Sequence, residues 1–114
     1  VTTGEAVMTP GPSMTEGIGN SRVTQNLATA TVDDAVQVDD QEMVDMVYRL
    51  LHQEGWFFGS SSGINLGAAV KIAKELGPGH TIVTILCDDG GKYQSRLYNP
   101  AFLAERDLSI PSFT

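Results

Sequence analysis

The stretch that most constrains the fold is Phe57-Phe58-Gly59-Ser60-Ser61-Ser62-Gly63-Ile64-Asn65, where a short apolar run breaks into small, hydroxyl-bearing residues. An Ala/Leu/Ile/Val pattern with helical spacing follows it. The order reads as strand, tight polar turn and helix N-terminus. Such a turn gathers unpaired backbone N–H groups and the positive end of a helix dipole. It can therefore receive an anion or a polar ring atom. Ser and Gly ahead of a helix are also ordinary N-caps, so the stretch by itself leaves a structural and a functional reading open.

The flanking sequence supplies further strands and helices. Asp34-Ala35-Val36-Gln37-Val38 alternates apolar and polar residues and predicts a short strand. Asp39 is a candidate N-cap for a helix that follows, with Glu42 placed to complete a capping box. Met43, Val47, Leu50 and Leu51 recur on one face of that helix, and Gly55 ends it as a C′ glycine. Trp56-Phe57-Phe58 predicts a buried strand leading into the serine turn. A second helix runs from Ile64 to Leu76, with Ala68, Val70, Ile72, Ala73 and Leu76 available to pack and Lys71, Lys74 and Glu75 for solvent. Gly77-Pro78-Gly79 stops it. Thr81 to Cys87 is rich in β-branched residues and nearly continuous in apolar character, as a central parallel strand is. Asp88-Asp89-Gly90-Gly91 turns at its C-terminal end. Ligands of open parallel sheets sit at the C-terminal ends of strands, so this turn and the serine turn are expected side by side. Asn99-Pro100 begins a short helix near Ala101–Arg106. Alternating strands and helices predict an α/β fold with right-handed crossovers.

Residues 1–31 read as mostly irregular, rich in Thr, Gly, Pro, Ser and Asn, and 32–114 as the strand and helix core of a single α/β unit. Within the first stretch, Gly17-Ile18-Gly19 places two glycines around one apolar residue, which fits either a flexible loop or a backbone that something approaches closely. The 114 residues suffice for one small domain burying about two-thirds of its unfolded surface. Fourteen acids against seven bases give a net charge of −7, which argues against nucleic acid or an anionic membrane as partner. No apolar run approaches the roughly 20 residues of a membrane span. One cysteine, Cys87, leaves neither an internal disulfide nor a cysteine-based zinc site and makes a reducing cytoplasm the default. Val1 stands without an initiator Met in a loop-like stretch, which reads as a cut rather than a native start.

Other constellations fail on chemistry. Asp88-Asp89 has no acidic or histidine cluster at ligand spacing, and turn chemistry accounts for the pair. His52 and His80 read as a helix-end and a surface residue. Gly59-Ser60-Ser61-Ser62-Gly63 matches the letters of a nucleophile elbow. A hydrolase of that kind needs an acid and then a histidine downstream, whereas His80 precedes Asp88. Cys87 shows no sequence neighbour that would serve as its base.

The runs Glu16-Gly17-Ile18-Gly19, Gly59-Ser60-Ser61-Ser62-Gly63 and Ile85-Leu86-Cys87-Asp88-Asp89-Gly90-Gly91-Lys92-Tyr93-Gln94-Ser95 together resemble the cysteine synthase (O-acetylserine sulfhydrylase) family. Its members are fold-type II pyridoxal-phosphate enzymes related to cystathionine β-synthase and serine/threonine dehydratases. A full member is roughly three times longer, and this chain resembles its last third. The resemblance implies a partial parallel sheet with flanking helices, the C-terminal part of the large domain. It implies pyridoxal 5'-phosphate as cofactor, with Ser61 at the family serine whose hydroxyl bonds the pyridine nitrogen. Gly17, Ile18 and Gly19 match the segment lining the substrate side, and Cys87, Asp88 and Tyr93 match the strand end and turn beside the pyridine edge. Cys87 stands where many relatives have proline.

The family's Schiff-base lysine, substrate loop and phosphate loop belong to the earlier two-thirds. Lys71, Lys74 and Lys92 do not sit in its lysine motif, so the 114 residues alone are expected to be inactive and to hold the cofactor poorly. The implied partners are that remainder, an amino-acid substrate and a second copy in a homodimer. The implied activity is β-replacement on O-acetyl-L-serine by sulfide, with cystathionine β-synthase or dehydratase chemistry as alternatives. A stand-alone non-catalytic interaction module is the reading from a different class.

Overall fold

A computed structural model describes residues 25–112. Its helices are α1 (Gln25–Thr29), α2 (Asp40–Arg49), α3 (Ser60–Leu76) and α4 (Pro100–Glu105). α1 lies within the stretch that the sequence reads as irregular.

α2 starts where the capping chemistry places it. Asp39 keeps an extended backbone, and its side chain accepts the Glu42 N–H at 2.8 Å. The Glu42 carboxylate does not close a capping box but pairs with Lys71 Nζ on α3 at 2.6 Å. Past Arg49 the helix widens into a π-helical turn, Leu50–Glu54, in which the Trp56 N–H reaches the Leu50 carbonyl at 3.1 Å. Gly55 ends it at φ 72°, a left-handed conformation that favours glycine. The wider turn displaces the apolar face. Met43, Val44 and Val47 are fully buried, whereas Leu51 is exposed.

α3 packs on α2 through its smallest residues. The buried positions are Ser60, Ser61, Ser62, Gly63 and Gly67, while Val70 and Leu76, expected to pack, are exposed. A methyl group on Gly63 would lie 2.6 Å from Val47 Cγ1 and 3.1 Å from the Met43 carbonyl oxygen. Side chains of α2 therefore reach the α3 backbone, and the small residues permit that approach. Tyr93, Leu97 and Leu103 complete the core from the C-terminal side. Asn99 caps α4 by accepting the Ala101 N–H at 3.1 Å, with Pro100 in the first turn. Gln41 then ties this end to α2, donating to the Ser109 carbonyl at 2.8 Å and accepting the Ser109 N–H at 3.0 Å.

The described residues show helices and no parallel sheet. Residues 34–38, 56–58 and 81–87 form no ladder among the described residues. One antiparallel bridge joins Phe58 to Asp89. Trp56 is 47% exposed, and Val83 and Ile85 of the expected central strand are 87% and 71% exposed. The physical reason is that a parallel strand is stable only between paired neighbours and beneath covering helices. The described residues supply no paired neighbour to 81–87, and α3 touches only its last residues.

Two predictions follow from the packing. Gly63→Ala is expected to cost about 1–3 kcal/mol, because Val47 and the Met43 backbone must move. Gly67→Ala, whose methyl would meet Val38 Cγ1 at an ordinary 3.4 Å, is expected to be neutral or to stabilise by up to about 1 kcal/mol through helix propensity. Denaturant unfolding of both variants checks the contrast. The three tyrosines give the second. Burial raises the pKa of Tyr48, whose hydroxyl donates to the Leu97 carbonyl at 3.0 Å. Burial and then the Tyr48 phenol push that of Tyr98 far up. Burial and then Asp88 raise that of Tyr93. Raised phenol pKa values stabilise the fold fully below the unfolded value near 10 and lose that contribution as pH rises through the folded values. Absorbance at 295 nm should therefore show little phenolate up to about pH 10 and then ionisation accompanied by loss of helical circular dichroism. Phenolate forming near pH 10 with intact dichroism would contradict these environments.

Candidate functional site

The site gathers around the first turn of α3. Gly59 precedes that helix in an extended conformation and provides no side-chain cap. The early N–H groups of the helix thus keep their electropositive character. Two backbone hydrogen bonds fasten this turn to the Asp88–Gly90 turn: the Gly59 N–H to the Asp88 carbonyl at 3.0 Å, and the Gly90 N–H to the Phe57 carbonyl at 2.9 Å. Both turns need glycine here. A methyl at Gly59 would lie 2.3 Å from Tyr93 Cε2, and one at Gly90 2.5 Å from Phe57 Cε1.

The three serines have different surroundings. Ser62 is fully buried, and its Oγ accepts the Cys87 N–H at 2.9 Å. Ser60 is also buried, and its Oγ has no aligned hydrogen bond, although it lies beside the Tyr93 phenol and lowers that group's pKa slightly. Ser61 is 9% exposed, and its hydroxyl makes no hydrogen bond with the described residues. Asn65, one turn on, donates from Nδ2 to the Ile85 carbonyl at 2.9 Å and lies 3.7 Å from Cys87 Sγ. Residues 85–87 are thereby laid along the start of α3.

Charge is held on the opposite turn. Asp88 Oδ2 accepts the Tyr93 hydroxyl at 2.9 Å and pairs with Lys92 Nζ. The hydrogen bond from Lys92, then that from Tyr93, holds the Asp88 carboxyl below its ordinary range. The same carboxylate raises the Lys92 pKa. Asp89 Oδ1 accepts the Gly91 N–H at 2.9 Å, the turn chemistry expected of the acidic pair. Tyr98 donates to the Phe58 carbonyl and steadies the segment before the serines.

The structure thus brings Ser61, Cys87, Asp88 and Tyr93 into one cluster. Gly17, Ile18 and Gly19 lie outside the described residues. Cys87 is exposed, whereas Tyr93 is buried against Gly59 and serves the turn rather than presenting an open face. Sequence reasoning missed Ser62, Asn65 and Lys92 as members of the cluster. The four-residue step from Asp88 to Lys92 was the available signal for one of them; those of Ser62 and Asn65 are long-range contacts without a local signature. Among the described residues no three His, Cys, Asp or Glu side chains converge as a metal site, and no helix is long and apolar enough to cross a membrane. A separate groove of about 260 Å³ between α2 and α3 is lined by charged residues including Glu42, Arg49, Lys71 and Lys74, away from the serine turn.

Comparison with known proteins gives this cluster a context. Cysteine synthase 2 of Schizosaccharomyces pombe is 44% identical over 104 residues, covering 88% of this chain and 26% of that protein. Cysteine synthase 1 of Emericella nidulans is 40% identical over 107 residues, covering 92% and 29%. A cysteine synthase of Dictyostelium discoideum is 44% identical over 98 residues, covering 86% and 26%. The chain spans about a quarter of the length of these curated relatives. The family model described as "Pyridoxal-phosphate dependent enzyme" matches residues 2–88, most of the chain and all of the serine turn. On that match, the chain belongs to the pyridoxal-phosphate dependent enzyme family.

Proposed function

We propose that this chain supplies the ring-nitrogen side of the cofactor site in an enzyme that converts O-acetyl-L-serine and sulfide to L-cysteine and acetate. The observation that carries the reading is the Ser61 hydroxyl, nearly buried at the N-terminus of α3 and unengaged by the described residues. Of its neighbours, Ser62 is committed to the Cys87 N–H, and Ser60, fully buried, lies beside the Tyr93 phenol without an aligned hydrogen bond. A hydroxyl so placed suits a pyridine nitrogen, which needs one donor and no countercharge, so the residues fit the cofactor. The names of the relatives support the choice of reaction.

Bound pyridoxal phosphate supplies an electron sink that lets a leaving group depart from Cβ of an amino acid and a nucleophile add there. The protein tunes that sink through the group facing the ring nitrogen. Ser61 donates a hydrogen bond but cannot hold the nitrogen protonated as a carboxylate would. The resulting weaker sink suits β-replacement better than transamination. Asp88, the nearby carboxylate on this turn, is occupied by Tyr93 and Lys92. Cys87 and the Asp88 turn lie beside the ring edge in this reading, with Gly17, Ile18 and Gly19 on the substrate side.

The remaining three quarters of the enzyme, by the relatives' lengths, would supply the cofactor lysine and the phosphate cradle. They would also supply strands against Ile82, Val83, Ile85 and Leu86, whose exposure is that of a parallel strand awaiting its neighbours. A homodimer working in the cytoplasm completes the reading; the single cysteine suits a reducing compartment.

Ser61→Ala in the complete enzyme tests it. Loss of one hydrogen bond to the ring is expected to weaken pyridoxal phosphate binding and to lower kcat for cysteine formation, each about tenfold. Unchanged binding and turnover would overturn the role of Ser61, and absence of cysteine formation by the unsubstituted enzyme would overturn the reaction.

A further inference from the structure

We propose that Tyr93 is the positioning residue of the serine turn: braced by Asp88, it sets the first turn of α3, and with it Ser61, in fixed register with residues 87–90. The inference rests on the reading that this turn receives the cofactor, and it adds a residue that acts without touching the ring.

Four observations converge on Tyr93. It is 3% exposed, so its ring is a fixed body. That ring occupies the space a side chain at Gly59 would fill, 2.3 Å from the position of a Cβ there, and Gly59 is the residue from which α3 starts. Its hydroxyl donates to Asp88 Oδ2 at 2.9 Å. The Asp88 carbonyl in turn accepts the Gly59 N–H at 3.0 Å. One residue, Asp88, therefore holds the phenol through its side chain and the start of the turn through its backbone. Ring, carboxylate and backbone close a short circuit around Gly59. Lys92 pairs with the same carboxylate oxygen and keeps it ionised as an acceptor. The hydroxyl of Ser60 lies beside the phenol, placing the end of this circuit one residue from Ser61.

The circuit explains why the turn can leave a serine hydroxyl unengaged. Turns rich in serine ordinarily satisfy their own hydroxyls by local hydrogen bonds to the backbone. Here Ser62 is fixed on the Cys87 N–H and Tyr93 fixes Gly59, so Ser60 and Ser61 between them are oriented from both sides. Preorganisation of this kind lowers the ordering cost when a ligand arrives.

Tyr93→Phe keeps the ring on Gly59 and removes only the hydroxyl. Hydrogen exchange of the full, cofactor-free protein is expected to accelerate about tenfold at the amides of Gly59, Cys87 and Gly90, which bond across the two turns, with the α2 amides unchanged. In the cofactor-loaded enzyme the same variant should bind pyridoxal phosphate about tenfold more weakly with little change in melting temperature. Asp88→Asn keeps an acceptor for the phenol and should retain most of both properties. Exchange that is unchanged at those amides, or raised uniformly along the chain, overturns the proposal. So does accelerated exchange with unaltered cofactor affinity. Failure of the functional reading looks different: the unsubstituted enzyme then takes up no pyridoxal phosphate, while the exchange pattern still decides whether Tyr93 orders the turn.

Discussion

Two backbone hydrogen bonds, Gly59 N–H to the Asp88 carbonyl and Gly90 N–H to the Phe57 carbonyl, fix the relation on which the candidate site depends. They bring together turns some thirty positions apart in sequence and do so without a sheet. Their geometry is possible only because positions 59 and 90 carry no side chain. Tyr93 fills the space over Gly59, and Phe57 the space over Gly90. The rings cover the two glycines, which are both buried. A hydrogen bond so protected contributes more than one exposed to competing solvent.

The same economy of side chains governs the helices. α3 meets α2 through Gly63, and Gly67 lies against Val38. Of the bulkier residues of α3, Ile64 packs partly buried against the core while Val70 and Leu76 are exposed. Buried volume therefore comes mainly from Met43, Val44 and Val47 on α2 and from Tyr93, Leu97 and Leu103. This is a small core, and the apolar run 82–86 lies outside it. The serine turn is nevertheless held from three directions: by the residue 87–90 segment, by Tyr98 beneath Phe58, and by the α2 contact at Gly63. Function in this reading needs one unengaged hydroxyl within a rigid frame, and the frame is built from residues that never touch the ligand.

Local chemistry made the helices legible. Asp39 announced α2 because a carboxylate can satisfy an early N–H, Gly55 ended its π extension because the chain must turn left-handed there, and Asn99-Pro100 opened α4. The strands were not legible in the same way. Thr81–Cys87 has the composition of a central strand, but strand structure is a property of pairs, and its partners are not among the described residues. The faces of α2 and α3 were partly misread for another reason. A π-helical turn after Arg49 shifts Leu51 outward, and glycine packing on α3 inverts the assumption that the largest apolar residues are buried. At the site, residue chemistry pointed to the serine turn and the Asp88 turn as neighbours. Only the resemblance of three motifs distinguished a cofactor site from a capped helix. The contacts of Ser62 with Cys87 and of Asn65 with Ile85 depend on the tertiary fold and had no sequence signature.

The central claim is that the Ser61 hydroxyl faces the ring nitrogen of the cofactor and leaves it unprotonated. Nitrogen NMR of the complete enzyme loaded with pyridoxal phosphate labelled at the ring nitrogen tests this most directly. A resonance in the range of an unprotonated, hydrogen-bonded pyridine that moves on Ser61→Ala is the predicted result. A protonated ring nitrogen, or a resonance indifferent to that substitution, would contradict the claim.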